Sequence, residues 1–159
     1  MEEMLVESKK KIPAKRVNVV SLKVVKESSV LYETRNITNP YDAFRLVKSF
    51  LENSDREKFV VACLDTKNQP INIQVVSIGS LNSAIVHPRE VFKVAMLSNA
   101  SKIICFHNHP SGNLKCSKED ENITNRLKEC GEILGIELVD HIIIGDNDTY
   151  FSFKENCMM

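Results

Sequence analysis

Short apolar segments alternate along this chain with segments of helical periodicity. The strand-like segments are residues 16–26, 59–64, 71–78, 102–106, 137–145 and 150–154. The helix-like segments are residues 41–51, 89–97 and 117–134, and they begin near Asn39-Pro40, Pro88 and Ser117. Because helices between strands cover the faces of a sheet, this order predicts an α/β domain with a mixed sheet.

The length of 159 residues predicts one folded domain. Residues 1–15 are polar and lysine-rich, and we expect them to form a flexible N-terminal tail. Residues 16–159 then form the single domain. An apolar share of 43% is enough for an ordinary core, so no disulfide framework or structural metal is needed to hold it together.

The charge balance bears on nucleic acid as a partner. The chain has 21 basic and 21 acidic residues, a formal net charge of zero, whereas proteins that bind through phosphates are usually basic. A local basic run near the N-terminus, Lys9, Lys10, Lys11, Lys15 and Arg16, could serve as a nucleic-acid arm. The neutral total favours a solvated terminus instead.

Cysteine usage and hydropathy bear on the compartment. The cysteines number five, an odd count, and no two of them form a C-x-x-C pair, which argues against a disulfide framework and a structural zinc knuckle. No apolar run approaches the roughly 20 residues of a membrane span, and the N-terminus does not resemble a secretory leader. We therefore expect a cytoplasmic protein with free thiols and no membrane association.

Two histidines leave the end of a predicted strand. His107 and His109 are two residues apart, and side chains at positions i and i+2 of extended backbone point to the same face. Asp120 lies in the first turn of the next helix and can turn back toward them. Two imidazoles and a carboxylate form a three-ligand zinc set with a fourth position open for water.

The segment from Ser117 to Asp120 also has a purely structural interpretation. A serine at the N-cap with an acid three residues later is typical of a capping box. The two interpretations are compatible, because a capped helix start can face a metal site.

Read as a whole, the pattern H-x-H-P-S-G followed by S-x-x-D resembles the JAMM motif of JAB1/MPN metalloproteases. More narrowly, the chain from about residue 33 onward resembles the RadC-type (UPF0758) branch of that family. Matching segments occur in the same order at residues 57–61 (EKFVV), 64–68 (LDTKN), 77–82 (SIGSLN), 87–90 (HPRE), 107–112 (HNHPSG) and 140–145 (DHIIIG).

The resemblance implies a three-layer α/β/α sandwich with a mixed sheet, the JAB1/MPN (cytidine-deaminase-like) architecture. It implies one zinc ion per chain, held by His107, His109 and Asp120, and hydrolysis of a peptide or isopeptide bond in a protein or peptide substrate. Glu57 matches the general base and Ser117 the residue that stabilises the oxyanion. Spacing alone does not separate Glu57 from Glu33, Glu52 and Glu90. A homodimer is a further implication by analogy.

Some positions depart from the family pattern or add to it. Cys116 replaces the usual proline before the serine, so its thiol could face the metal or become oxidised. His141 and Ser111 are candidates for lining the pocket, and His141 could also support a metal ligand from the outer shell. We expect this chain to be a short form without the N-terminal helix-hairpin-helix segment of longer RadC-type proteins.

Two other functions compete with hydrolysis. The first is a DNA-associated repair or mobile-element accessory role, against which the neutral charge counts. The second is a non-catalytic MPN binding module with a vestigial metal site. A zinc deaminase is set aside, because its H-x-E and P-C-x-x-C motifs do not occur.

Overall fold

The computed structural model describes residues 12–79 and 86–159, and its strands form one mixed sheet. The elements are α1 (Pro40–Leu51), β1 (Lys58–Leu64), β2 (Pro70–Ile78), α2 (Pro88–Leu97), β3 (Lys102–Asn108), α3 (Lys118–Leu134), β4 (Glu137–Ile144) and β5 (Tyr150–Ser152). Within the described residues the strand order is β2-β1-β3-β4-β5. The β3–β4 pair is parallel, and the other pairs are antiparallel.

The two faces of the sheet carry separate apolar clusters. Even-numbered side chains of β1 and β3, such as Val60 and Phe106, pack with α1. Odd-numbered side chains, such as Val61 and Cys105, pack with Phe92 of α2 and with residues of α3. One helix therefore covers one face and two helices cover the other, which confirms the predicted three-layer α/β/α sandwich with a mixed sheet.

The predicted helix boundaries follow from local chemistry. The Asn39 side chain accepts a hydrogen bond from the backbone N–H of Asp42, and Pro40 occupies the first turn of α1. Gly135 ends α3 with φ of 69°, a left-handed conformation that glycine adopts without strain.

None of the helices in the described ranges combines the length and hydropathy that crossing a membrane requires. All five cysteines are free thiols, as expected.

The prediction of a strand at residues 16–26 is wrong. This segment has no regular secondary structure, and its side chains are exposed, Val19 fully so. A strand needs a neighbour for its backbone hydrogen bonds, and alternation of apolar residues does not supply one. Residues 1–11 of the predicted tail, with Lys9, Lys10 and Lys11, lie outside the described residues, as do residues 80–82 of the 77–82 match.

The contact between α3 and the start of β4 leaves no room for a side chain at Gly131. A Cβ atom there would collide with the backbone carbonyl oxygen of Ile136, and it would also approach the ring of Phe92. We expect Gly131→Ala to lower the free energy of unfolding by about 1–3 kcal/mol, although alanine is the better helix former. Urea denaturation measures the change. Glu129→Ala, at an exposed position of the same helix, should leave stability nearly unaltered, and equal stability of both variants would contradict this account of the contact.

Candidate metal centre

The end of β3 brings the two histidines of the site to the face of the sheet that α2 and α3 cover. β3 extends two residues beyond its predicted end, to Asn108, so His107 lies within the sheet and His109 directly follows it. His107 is 1% exposed, and its ring stacks at 6.2 Å, centroid to centroid, on Phe59, its partner in β1. His109 is half-buried at the end of the strand. The core therefore fixes one ring and leaves the other nearer to solvent.

The capping box of α3 orients the carboxylate. The Asp120 backbone N–H donates to Ser117 Oγ at 3.1 Å, and the Ser117 N–H donates to Asp120 Oδ2 at 2.7 Å. The predicted capping box is thereby confirmed. The box turns the carboxylate toward the histidines, with Oδ1 at 3.1 Å from His107 Nε2 and Oδ2 at 3.5 Å from His109 Nε2. The helix cap and the site share one side chain.

The three side chains converge on one point. His107 Nε2 lies 3.0 Å from His109 Nε2, and ligand atoms of all three residues lie within 4.8 Å of one another. Two ligands at 2.0–2.1 Å from one tetrahedral zinc ion lie about 3.3 Å apart. The separations of 3.0, 3.1 and 3.5 Å bracket this spacing. The donor set, two imidazoles and a carboxylate, therefore fits zinc in both chemistry and spacing.

Electrostatics favour a cation at this point. Burial opposes ionisation of Asp120, but hydrogen bonds with His107 and His109 outweigh it, and the pKa of Asp120 lies well below its usual range. The hydrogen bond with Asp120 raises the pKa of His109, although burial acts in the opposite direction. The carboxylate thus remains ionised and attracts positive charge, whether protons on the imidazoles or a metal ion.

Glu57 lies beside this centre, at the entrance to β1. Phe59, two residues after Glu57, is the strand partner of His107, so the start of β1 and the end of β3 lie side by side. Glu57 is half-buried, and its negative charge contributes to the raised pKa of His109. The rival acids Glu33, Glu52 and Glu90 form ion pairs with Arg45, Lys48 and Lys93.

The remaining candidate residues occupy the loop before α3 and the centre of the sheet. Ser117 is exposed, and Ser111 Oγ accepts a long hydrogen bond of 3.4 Å from the Asn113 N–H. Cys116 is half-buried, with its Sγ 4.0 Å from Met158 Sδ, and burial raises the pKa of its thiol. It is not part of the three-residue ligand cluster. His141 is fully buried and contacts His107, with its Nε2 at 2.8 Å from His107 Nδ1.

Two residues of the site were not singled out from the sequence. The buried side chain of Asn108 accepts from the Lys58 N–H at 2.8 Å and donates to the Arg56 carbonyl at 3.0 Å. It thereby holds the backbone on both sides of Glu57. Thr124, one turn after Asp120 in α3, is fully buried, and its Oγ1 lies 2.6 Å from His141 Nδ1. An asparagine inside H-x-H and a threonine four residues after the aspartate were the available signals.

A cleft of about 250 Å³ opens on the exposed side of His109. The residues that line it come from the end of α1 and the segment after it, from the His109-Pro110 turn, and from the end of β4 and the loop that follows. Its charged side chains are Glu52, Asp55 and Asp146. Of the three ligand candidates, His109 lines this cleft, and His107 and Asp120 do not.

Comparison with known proteins matches residues 37–158 to the family described as "RadC-like JAB domain". Among curated proteins, a UPF0758 protein of Clostridioides difficile is 55% identical over 77% of this chain and 52% of its own length. A UPF0758 protein of Clostridium tetani is 54% identical over 77% of this chain and 54% of its own, and one of Bacillus cereus is 53% identical over 78% and 55%. The chain spans about half the length of these relatives.

Proposed function

This chain belongs to the RadC-like JAB domain family, and from that premise we propose that it is a zinc-dependent hydrolase of the JAMM type that cleaves a peptide or isopeptide bond. The observation that carries the proposal is the convergence of His107, His109 and Asp120, with ligand atoms 3.0–3.5 Å apart. A zinc ion bound there would lower the pKa of a water molecule toward neutrality and polarise a substrate carbonyl.

The chain's own residues then divide the work of hydrolysis. The Glu57 carboxylate accepts the proton that water loses as its oxygen bonds to the carbonyl carbon, and returns that proton to the leaving amine as the C–N bond breaks. The contribution of its negative charge to the raised pKa of His109, together with the bonds by which Asn108 holds the backbone around it, supports this role. Ser117 Oγ accepts the Asp120 N–H, which leaves its O–H to donate toward the negative charge that develops on the carbonyl oxygen.

The substrate, on this proposal, is a protein or peptide that enters through the cleft beside His109. The half-buried state of that ring leaves the centre open on one side. Cytoplasmic location and pairing into homodimers belong to the same proposal.

A hydrolysis screen tests the proposal. The purified chain, loaded with one equivalent of zinc, is incubated with fluorogenic peptides and with peptides joined through a lysine isopeptide bond. We expect cleavage that a chelator abolishes and added zinc restores. Stoichiometric zinc without cleavage of any member would favour a non-catalytic binding module. A chain that binds no zinc but shifts DNA mobility in a salt-sensitive way would favour the DNA-associated alternative.

A further inference from the structure

Behind the metal centre, buried hydrogen bonds connect His107 to α3. His107 Nδ1 lies 2.8 Å from His141 Nε2, His141 Nδ1 lies 2.6 Å from Thr124 Oγ1, and Thr124 Oγ1 lies 2.6 Å from the Asp120 carbonyl oxygen. All three side chains are at most 1% exposed. The connection begins at one ligand, His107, and ends on the backbone of another, Asp120.

Proton counting assigns a direction to these bonds. A carbonyl oxygen can only accept, so the single hydroxyl proton of Thr124 must lie between Oγ1 and the Asp120 carbonyl. Thr124 Oγ1 then accepts from His141 Nδ1–H. The His141 ring is fully buried, and its hydrogen-bond partners, Thr124 and His107, are not carboxylates that would stabilise a charged ring. A neutral ring with its proton on Nδ1 accepts at Nε2, so His107 Nδ1–H donates to it.

The consequence reaches the metal-facing atom. With its proton on Nδ1, a neutral His107 presents a lone pair on Nε2, the atom that faces Asp120 and His109. The reverse arrangement would place a proton on His107 Nε2 and would set the Thr124 oxygen and the Asp120 carbonyl against each other at 2.6 Å without a proton between them. With a cation among the three ligands, the observed contacts favour the arrangement that leaves Nε2 available, because its lone pair then faces the cation and not Asp120 Oδ1 alone at 3.1 Å.

We propose that His141 and Thr124 form a positioning relay that holds His107 in the Nδ1–H tautomer and fixes its ring relative to Asp120, so that the centre is prepared to bind its metal. The relay deepens the proposed function and rests on it for the identity of the metal. The arrangement of protons itself is a property of this chain and is open to test without metal.

Packing provides variants that separate hydrogen bonding from folding. The His141 ring stacks on Phe153 at 5.0 Å and meets Phe59 edge-on at 5.4 Å, so a phenylalanine at position 141 keeps aromatic contacts while it removes the acceptor. His141→Gln restores an acceptor close to the former Nε2. Thr124→Val removes the hydroxyl at nearly equal volume, and Thr124→Ser keeps it.

Zinc affinity, measured by competition with a chromophoric chelator, is the first readout. We expect His141→Phe and Thr124→Val to weaken zinc binding by about 10–100-fold, the usual effect of losing an outer-shell partner. His141→Gln and Thr124→Ser should recover most of the affinity. Thermal unfolding followed by circular dichroism confirms that each variant is folded. Folded Phe and Val variants with wild-type zinc affinity would overturn the relay.

The ring tautomer of His141 is the second readout, and it does not depend on metal. Long-range ¹H–¹⁵N spectra of the metal-free chain should show the Nδ1–H form of His141 in the wild type and Thr124→Ser, and a shift toward the Nε2–H form in Thr124→Val. An Nε2–H form in the wild type would overturn the relay even if zinc hydrolysis were demonstrated. The Nδ1–H form would support it even if the wild type bound no zinc and the hydrolase proposal failed.

Discussion

His109→Ala is expected to abolish stoichiometric zinc binding while the chain stays folded. In the proposed zinc centre His109 supplies one of three protein ligands, and its removal should weaken zinc binding by more than the roughly 100-fold that the loss of an outer-shell partner costs at most. It is a better target than His107, because His107 is 1% exposed and also holds the bond to His141. Metal content after dialysis, measured by mass spectrometry, gives the stoichiometry.

His87, a histidine outside the ligand cluster, provides the control. His87 is exposed and precedes α2, and its side chain makes no capping hydrogen bond. His87→Ala should retain one zinc per chain, like the wild type. If His109→Ala also retained one zinc, the three-residue assignment would be wrong and the proposed hydrolase would lose its main support.

The part of the site that sequence reasoning could reach is local in the chain. His107 and His109 are two residues apart at the end of a strand, and Ser117 and Asp120 lie within one turn of a helix. Each relation is fixed by the period of its element, so the pattern predicts how the side chains point. The structure brings the three ligand candidates together as that pattern predicts.

The part of the site that no local pattern predicts depends on strand register. Asn108 holds the backbone around Glu57 from 50 residues away. His141, which the family resemblance singled out, reaches His107 only because β4 pairs with β3 across an irregularity between Ile103 and Ile104. A shift of one residue would turn His141 to the other face of the sheet. Contacts between segments so far apart in the chain leave no pattern in any one stretch of sequence from which they could be predicted.

Residues 16–26 illustrate the opposite error, in which a correct local pattern predicts an element that does not form. The valines of this segment alternate as in a strand, yet the structure leaves them exposed, and the exposed fraction of Val17 is 82%. The edge strands of the sheet, β2 and β5, pair instead with β1 and β4. Local propensity favours an extended backbone, but pairing decides whether it becomes a strand.

Glu57→Gln is expected to abolish hydrolysis and leave zinc binding intact. Glutamine has nearly the same shape as glutamate, but its amide cannot take a proton from water at neutral pH, so the loss should be about 10²–10⁴-fold in turnover. Because Glu57 is not one of the three ligand candidates, the metal content should stay at one per chain. Turnover is measured on whichever substrate the hydrolysis screen finds, and metal content on the same preparation.

The matched control is Glu90→Gln. Glu90 is a rival by sequence alone, but the structure pairs it with Lys93 at 2.6 Å on the surface of α2. This variant should hydrolyse substrate at the wild-type rate. Wild-type turnover in Glu57→Gln would remove Glu57 from the mechanism. Loss of zinc together with activity would instead make Glu57 part of the metal site. Only the combination of retained zinc and lost turnover identifies the Glu57 carboxylate as the proton carrier, because loss of a metal ligand would remove the zinc and loss of a base would not.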